Sequence, residues 1–258
     1  MCGRFTYKFT WQEIHDHLAG FVEVLKKEAP PEISEAPARY NIAPTQPIIV
    51  FRREGGTVMS QLMRWGLVPE WVKDPRDFPL IVNARSETLK EKASFRSPLK
   101  NKRCIIPASG YYEWLRRPDG SKTPHYITNR DDSPMLFAGL WSTWMGPDGE
   151  EVDTATIVTV PANPELAEIH DRSPALLTGD DVTKWLDTAN YNADKAHALL
   201  RPVPPGTTKQ FPVSSRVNSA RNEGQDLIVP VFEAEVPDEP KAPPARPDKP
   251  KKQQLDLF

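Results

Sequence analysis

The sequence predicts an α+β fold, predominantly antiparallel β-sheet with peripheral helices. Three observations carry that expectation. Short apolar and aromatic runs recur along most of the chain, separated by polar or glycine-containing turns. Helical periodicity is limited to a few short stretches. The 258 residues, 38% of them hydrophobic, are enough to bury a core. Strands joined mainly by hairpins form antiparallel sheet.

Composition narrows the rest. There is no apolar run of membrane-spanning length, and the N-terminus lacks the basic-then-apolar pattern of a signal peptide. Only Cys2 and Cys104 are present, too few for a disulfide framework, so we expect a reducing, cytoplasmic setting and a monomer without membrane association. No Cys/His cluster has metal-site spacing, and no metal or cofactor is expected. A net charge of −2 rules out a global basic field, leaving any nucleic-acid contact to a local patch.

Taken in order, Thr10 and Glu13 form a capping box, and Ile14, Leu18, Phe21, Val22 and Leu25 follow at helical spacing. Pro30, Pro31 and Pro37 end that helix. Asn41 and Pro44 suit a fixed turn. Residues 48–53 and 57–65 read as a hairpin around Gly55-Gly56. The loop from Trp65 through Gly66 and Pro69 to Trp71 holds two tryptophans, either core packing or a platform on which nucleobases stack at ~1–3 kcal/mol each. Leu80-Ile81-Val82 is a short strand delivering Asn83 and Arg85 to one side of an extended segment, with Ser86 set to cap a short helix. A strand at 103–107 holds Cys104 among apolar neighbours, as an inert core thiol. Glu113 lies inside the aromatic strand 110–114, where an unpaired buried carboxylate is costly, so it faces outward or has a function.

Strands are expected at 124–128, 135–144 and 152–160, with turns at 129–133 and 146–150. A helix at 163–169 leads into His170-Asp171-Arg172, and helices near 180–186 and 192–200 follow. Residues 209–213 and 227–232 read as closing strands. From Pro237 to Phe258 proline alternates with charge, so a folded unit of 1–236 and an extended tail of 237–258 are expected.

The first four residues are the chemical centre of this organisation. Cys2 is small enough for Met1 to be trimmed, which leaves an α-amine and a thiol one carbon–carbon bond apart. Such a 1,2-aminothiol closes a five-membered ring on an aldehyde. An unperturbed α-amine titrates near ~8 and a thiol near ~8.5, so both nucleophilic forms are expected at neutral pH.

Six motifs then occur in order: Cys-Gly-Arg at 2–4, Arg-Tyr-Asn-Ile-Ala-Pro at 39–44, Trp-Gly-Leu-Val-Pro at 65–69, Asn-Ala-Arg-Ser-Glu-Thr at 83–88, Gly-Tyr-Tyr-Glu-Trp at 110–114 and Ile-His-Asp-Arg at 169–172. Over residues 2–232 the chain resembles the SRAP family, named for SOS response-associated peptidase. Glu70 and Ser173 depart from the family pattern. The resemblance implies a curved, barrel-like sheet and a protein that recognises abasic sites in single-stranded DNA. It further implies capture of the ring-opened sugar as a thiazolidine, with a lyase side activity. Carried over by motif, Cys2 is the nucleophile, Asn83 a hydrogen-bonding group, Glu113 a general acid/base and His170 an assistant to sugar-ring opening.

Arg4, Arg85 and Arg172 each sit within two residues of one of these, where flanking phosphates must lie, although each also suits a structural ion pair. Pro44 and Trp71 are candidates to wedge or stack beside the lesion. The end Gln254-Leu255-Asp256-Leu257-Phe258 looks like a peptide that docks on the bacterial sliding clamp, with Gln254, Leu255, Leu257 and Phe258 as its contacts and the replication fork as its place of work. Two alternatives stay open: a cysteine peptidase using Cys2, Glu113 and His170, and a non-enzymatic adaptor held on the clamp.

Overall fold

The computed structural model describes residues 2–231. The tail with Gln254, Leu255, Leu257 and Phe258 lies outside the described residues. The architecture is α+β, as expected. In chain order the strands and helices begin with β1 (Phe5–Tyr7), α1 (Trp11–Ala19), α2 (Pro31–Ser34), β2 (Arg39–Ile42), β3 (Pro47–Glu54) and β4 (Thr57–Trp65). They continue with β5 (Asn83–Arg85), α3 (Ala93–Asn101), β6 (Arg103–Ala108), β7 (Gly110–Arg116), β8 (Lys122–Asn129), β9 (Met135–Met145) and β10 (Glu151–Pro161). The last are α4 (Pro164–Ala167), β11 (Arg172–Pro174), α5 (Asp180–Leu186), α6 (Ala193–His197) and β12 (Thr208–Pro212).

Five strands close a barrel in the order β10-β4-β3-β6-β9, with β9 returning to β10. Its pairings are antiparallel except β4 with β10, which is parallel over Arg64 and Trp65. A second sheet, β12-β8-β7-β1-β2, is antiparallel throughout. It packs on the barrel through aromatic edges: Phe5 lies 5.1 Å from Trp65 and 6.2 Å from Phe137, both near-perpendicular. Its outer face carries Tyr112 and Tyr126, covered by Val213 and Val217 from the end of the described chain.

The local chemistry explains most elements. The capping box forms as read: Thr10 N donates to Glu13 Oε2 at 2.7 Å, and Glu13 N donates to Thr10 Oγ1. The helix, however, stops at Gly20, short of the expected stripe to Leu25. Leu25 instead bridges Val58 on β4. Strand 80–82 is displaced by three residues: the paired segment is β5 itself, and Ile81 makes only an isolated bridge to Leu67. Ser86 begins a 3₁₀ turn rather than capping a helix. Residues 225–228 form a 3₁₀ turn where a strand was expected, leaving a single bridge between Val213 and Pro230.

Helix α3 was not foreseen, because Pro98 interrupts the stripe that Phe95 and Leu99 begin. Its C-terminal end is fastened by Arg103, which is almost wholly buried. That guanidinium donates to the carbonyls of Leu99, Trp185, Asp187 and Tyr191 at 2.5–2.9 Å. Burial lowers its pKa to about 10, so the group stays charged. Among the described residues no helix is long and apolar enough to cross a membrane.

Candidate active site

The site begins with the pairing of β1 and β7. Phe5 lies opposite Tyr111 and Thr6 opposite Gly110, and Tyr112 N donates to Arg4 O at 3.0 Å. Continuing that register carries residues 2–4 along Tyr112 and Glu113. Gly110 is required in this register, since a Cβ there would sit 2.4 Å from the Tyr126 ring. Arg4 fixes the arrangement. Its guanidinium donates to Asn41 Oδ1 at 2.7 Å, to Val217 O at 2.8 Å and to Asn218 O at 3.2 Å. Asn41 Nδ2 reaches the same turn through Ser219 O and Asn222 O, both at 2.9 Å.

Held in this way, Cys2 is fully buried. Its Sγ lies 3.8 Å from Arg4 O, and Asn83 Nδ2 donates to Cys2 O at 2.8 Å. Asn83 Oδ1 is buried and has no hydrogen-bond partner among the described residues. β10 supplies the other support, because Asn83 pairs with Ile157 in its parallel ladder to β5. The buried Ala84 separates Asn83 from exposed Arg85, so the alternation read from sequence holds.

Glu113 is 3% exposed. Burial raises its pKa, and the chain's amino group and His170 pull it back down. The expected thiol titration does not hold in this setting. Burial, reinforced by the charge of Glu113, pushes the Cys2 thiol well above its ordinary range. His170 precedes β11; its Nδ1 is 3.0 Å from the backbone N–H of Arg172 and 3.0 Å from Asp171 Oδ1. Cys2, Asn83, Glu113 and His170 are therefore brought together, linked by hydrogen bonds or by charge.

The flanking residues divide. Arg4 and Arg172 have partners within the protein: Arg172 pairs with Glu87 and donates to Thr159 O at 2.6 Å. Arg85 is exposed and lines a hollow of about 570 Å³ with Asn83, Thr88, Lys92 and Ser94. The hollow beside it is lined by Ser94 and by Trp71, which is 58% exposed and packs edge-on against Phe78. The two tryptophans of the loop thus separate, since Trp65 is core and its Nε1 donates to Val82 O. Pro44 stands at the corner of a turn closed by Gln46 N to Ala43 O, with Thr45 at φ +73°. A β-branched residue there is an uncommon conformation. Glu87, Asn41 and the 217–218 turn escaped the sequence reading as site-builders. Glu87 lay inside a quoted motif but had no visible partner, since Arg172 is 85 positions away.

The class is thus an α+β protein with a mixed five-stranded barrel, whose accessory sheet leads Cys2 to a buried carboxyl. The chain belongs to the family described as SOS response associated peptidase (SRAP), which it matches over residues 1–220. It is 39% identical over 229 residues to the abasic site processing protein YoqW of Bacillus subtilis (strain 168), covering 88% of this chain and 99% of that one. It is also 39% identical over 204 residues to the abasic site processing protein HMCES of Gallus gallus, covering 70% and 60%. Its fold is similar to the crystal structure of a protein from Bacteroides thetaiotaomicron, with TM-score 0.78, 24% identity and coverage of 90% and 100%.

Proposed function

We propose that the protein processes abasic sites in single-stranded DNA, capturing the ring-opened sugar through Cys2 after loss of Met1. The names of its relatives support the substrate class. The observation that carries the chemistry is Asn83 holding the Cys2 carbonyl beside the buried Glu113 carboxyl.

In this scheme the α-amine attacks the aldehyde carbon first. The resulting carbinolamine loses its hydroxyl as water with a proton from Glu113, whose burial favours the protonated carboxyl. The thiol then adds to the iminium carbon, and its proton returns to the Glu113 carboxylate. One aldehyde and one aminothiol thus give a thiazolidine and one water. A protonated resting thiol suits this order, because it does not compete for the aldehyde before the iminium exists. The same burial works against a cysteine peptidase, which needs a thiolate at the outset. His170 assists opening of the sugar ring. Strand cleavage by β-elimination follows whenever ring closure is slow.

Arg85 and Trp71 are the exposed groups suited to a flanking phosphate and a stacked base. Arg4 and Arg172 hold the site from within, and Pro44 offers an apolar corner to the strand. The tail, through Gln254, Leu255, Leu257 and Phe258, docks on the sliding clamp and keeps the protein at replication forks. Deleting the last five residues should abolish clamp binding in a pull-down while leaving the chemistry intact.

The test of the chemistry is intact mass after incubation with a single-stranded oligonucleotide bearing one abasic site. A heat-stable species at protein minus Met1 plus oligonucleotide minus one water is expected. Its absence, from protein that has lost Met1, would overturn the proposal.

A further inference from the structure

We propose that Glu87 is a positioning residue for His170, acting through Arg172; the proposal rests on the reading above that His170 serves the site. The two segments that carry Asn83 and His170 are held separately by β10. Its residues Ile157, Val158 and Thr159 pair in parallel with Asn83, Ala84 and Arg85 of β5. Thr159, Val160 and Pro161 pair antiparallel with Pro174, Ser173 and Arg172 of β11. Thr159 is common to both ladders, so β5 and β11 flank β10 at one level. Each is three residues long, so few ladder bonds hold either in place.

One ion pair closes the gap. Arg172 Nη1 and Nη2 lie 2.5 and 2.9 Å from the two carboxylate oxygens of Glu87, in the 3₁₀ turn that follows β5. Nη2 also donates to Thr159 O, on the strand between them. Two parallel bonds fix the guanidinium plane as well as its position, which a single contact does not do. The Arg172 side chain is only 10% exposed, so it is packed into this geometry.

The main chain of Arg172 carries the constraint to the ring. Its N–H donates to His170 Nδ1 at 3.0 Å. With Nδ1 accepting, a neutral imidazole carries its proton on Nε2. Asp171 Oδ1, also 3.0 Å from Nδ1, is an acceptor and favours the opposite arrangement, with the proton on Nδ1. Glu87 therefore decides which neighbour Nδ1 answers to. Held by Glu87, Arg172 keeps the Nε2–H tautomer; released, it lets the ring turn its proton to Asp171.

Long-range ¹⁵N–¹H correlation spectra of the full chain, without DNA, read the tautomer directly. The wild type should show His170 protonated on Nε2, and Glu87→Gln should move it toward the Nδ1–H form. With the abasic oligonucleotide, the Glu87→Gln adduct should form about tenfold more slowly, with affinity for undamaged single strands unchanged. Glu87→Asp keeps the charge but shortens the reach, so it should lie between the two and serves if Glu87→Gln fails to fold. A His170 spectrum identical to wild type in the folded variants overturns the proposal. So does tighter DNA binding with an unaltered tautomer, which would make Glu87 a mask over Arg172. A wild type that forms no adduct instead removes the capture reading, and the spectra still decide what Glu87 does.

Discussion

Cys2 and Cys104 are equally buried, and burial pushes both thiols well above the ordinary range. Their surroundings differ. Cys104 sits on β6 opposite Gly139 of β9, so closely that a Cβ on Gly139 would lie 2.8 Å from its Sγ. Trp185 Nε1 donates to its carbonyl at 2.9 Å, and Arg52 is the charge acting on it. Cys2 faces Glu113 and Asn83, polar groups that a packed core has no use for. Burial alone does not tell the two thiols apart; the carboxyl and amide beside Cys2 do.

The sharpest way to break this contrast is to remove each thiol. Cys2→Ala should abolish the heat-stable adduct by intact mass, leaving a reducible Schiff base and more strand cleavage, whereas Cys104→Ala should leave adduct yield unchanged. Equal loss from both would end the distinction.

Next in size is Glu113→Gln, expected to slow adduct formation by ~10²–10⁴-fold. The same change should stabilise the fold at neutral pH. A carboxyl whose folded pKa is raised binds its proton more tightly when folded, so stability falls as pH rises from the ordinary carboxylate range through the raised value. Urea unfolding of wild type at acidic and neutral pH should show that fall, and Glu113→Gln should lack it.

On the Cys104 side, Arg103→Met should cost about 3 kcal/mol in urea unfolding, because it leaves buried carbonyls unpaired. Adduct chemistry should survive wherever the protein is folded. The smallest effect belongs to Glu87, whose pKa the Arg172 guanidinium holds down to about 2. A depressed carboxylate stabilises the fold above its unfolded pKa and loses that contribution as pH falls toward 2. Its side chain is half exposed, so solvent screening leaves only about 1 kcal/mol. Glu87→Gln should flatten the acid limb of the stability curve by that amount.

These residues also mark what the sequence made legible. The capping box at Thr10, the hairpin at Gly55-Gly56 and the alternation at Asn83–Arg85 are local chemistry, and they formed as read. Cys2, Asn83, Glu113 and His170 came as a group only through the family resemblance; the structure brings them close to one another. Long-range commitments were hidden: Arg4 to the 217–218 turn, Arg172 to Glu87, and the parallel pairing of β4 with β10. Each depends on which distant segment a strand meets, and spacing along the chain carries no record of that. Helix α3 was lost for a different reason, a proline at its apolar face.

The tie from Arg4 to Val217 spans 213 positions. Translation runs from one end of that tie to the other, so Cys2 leaves the ribosome among the first residues while the turn that seats Arg4 is made near the end. At ordinary elongation rates the interval is about 10–40 s. Throughout it the Arg4 guanidinium lacks the Val217 and Asn218 carbonyls that receive it. The seating of the first strand is thus among the last contacts a new chain can complete.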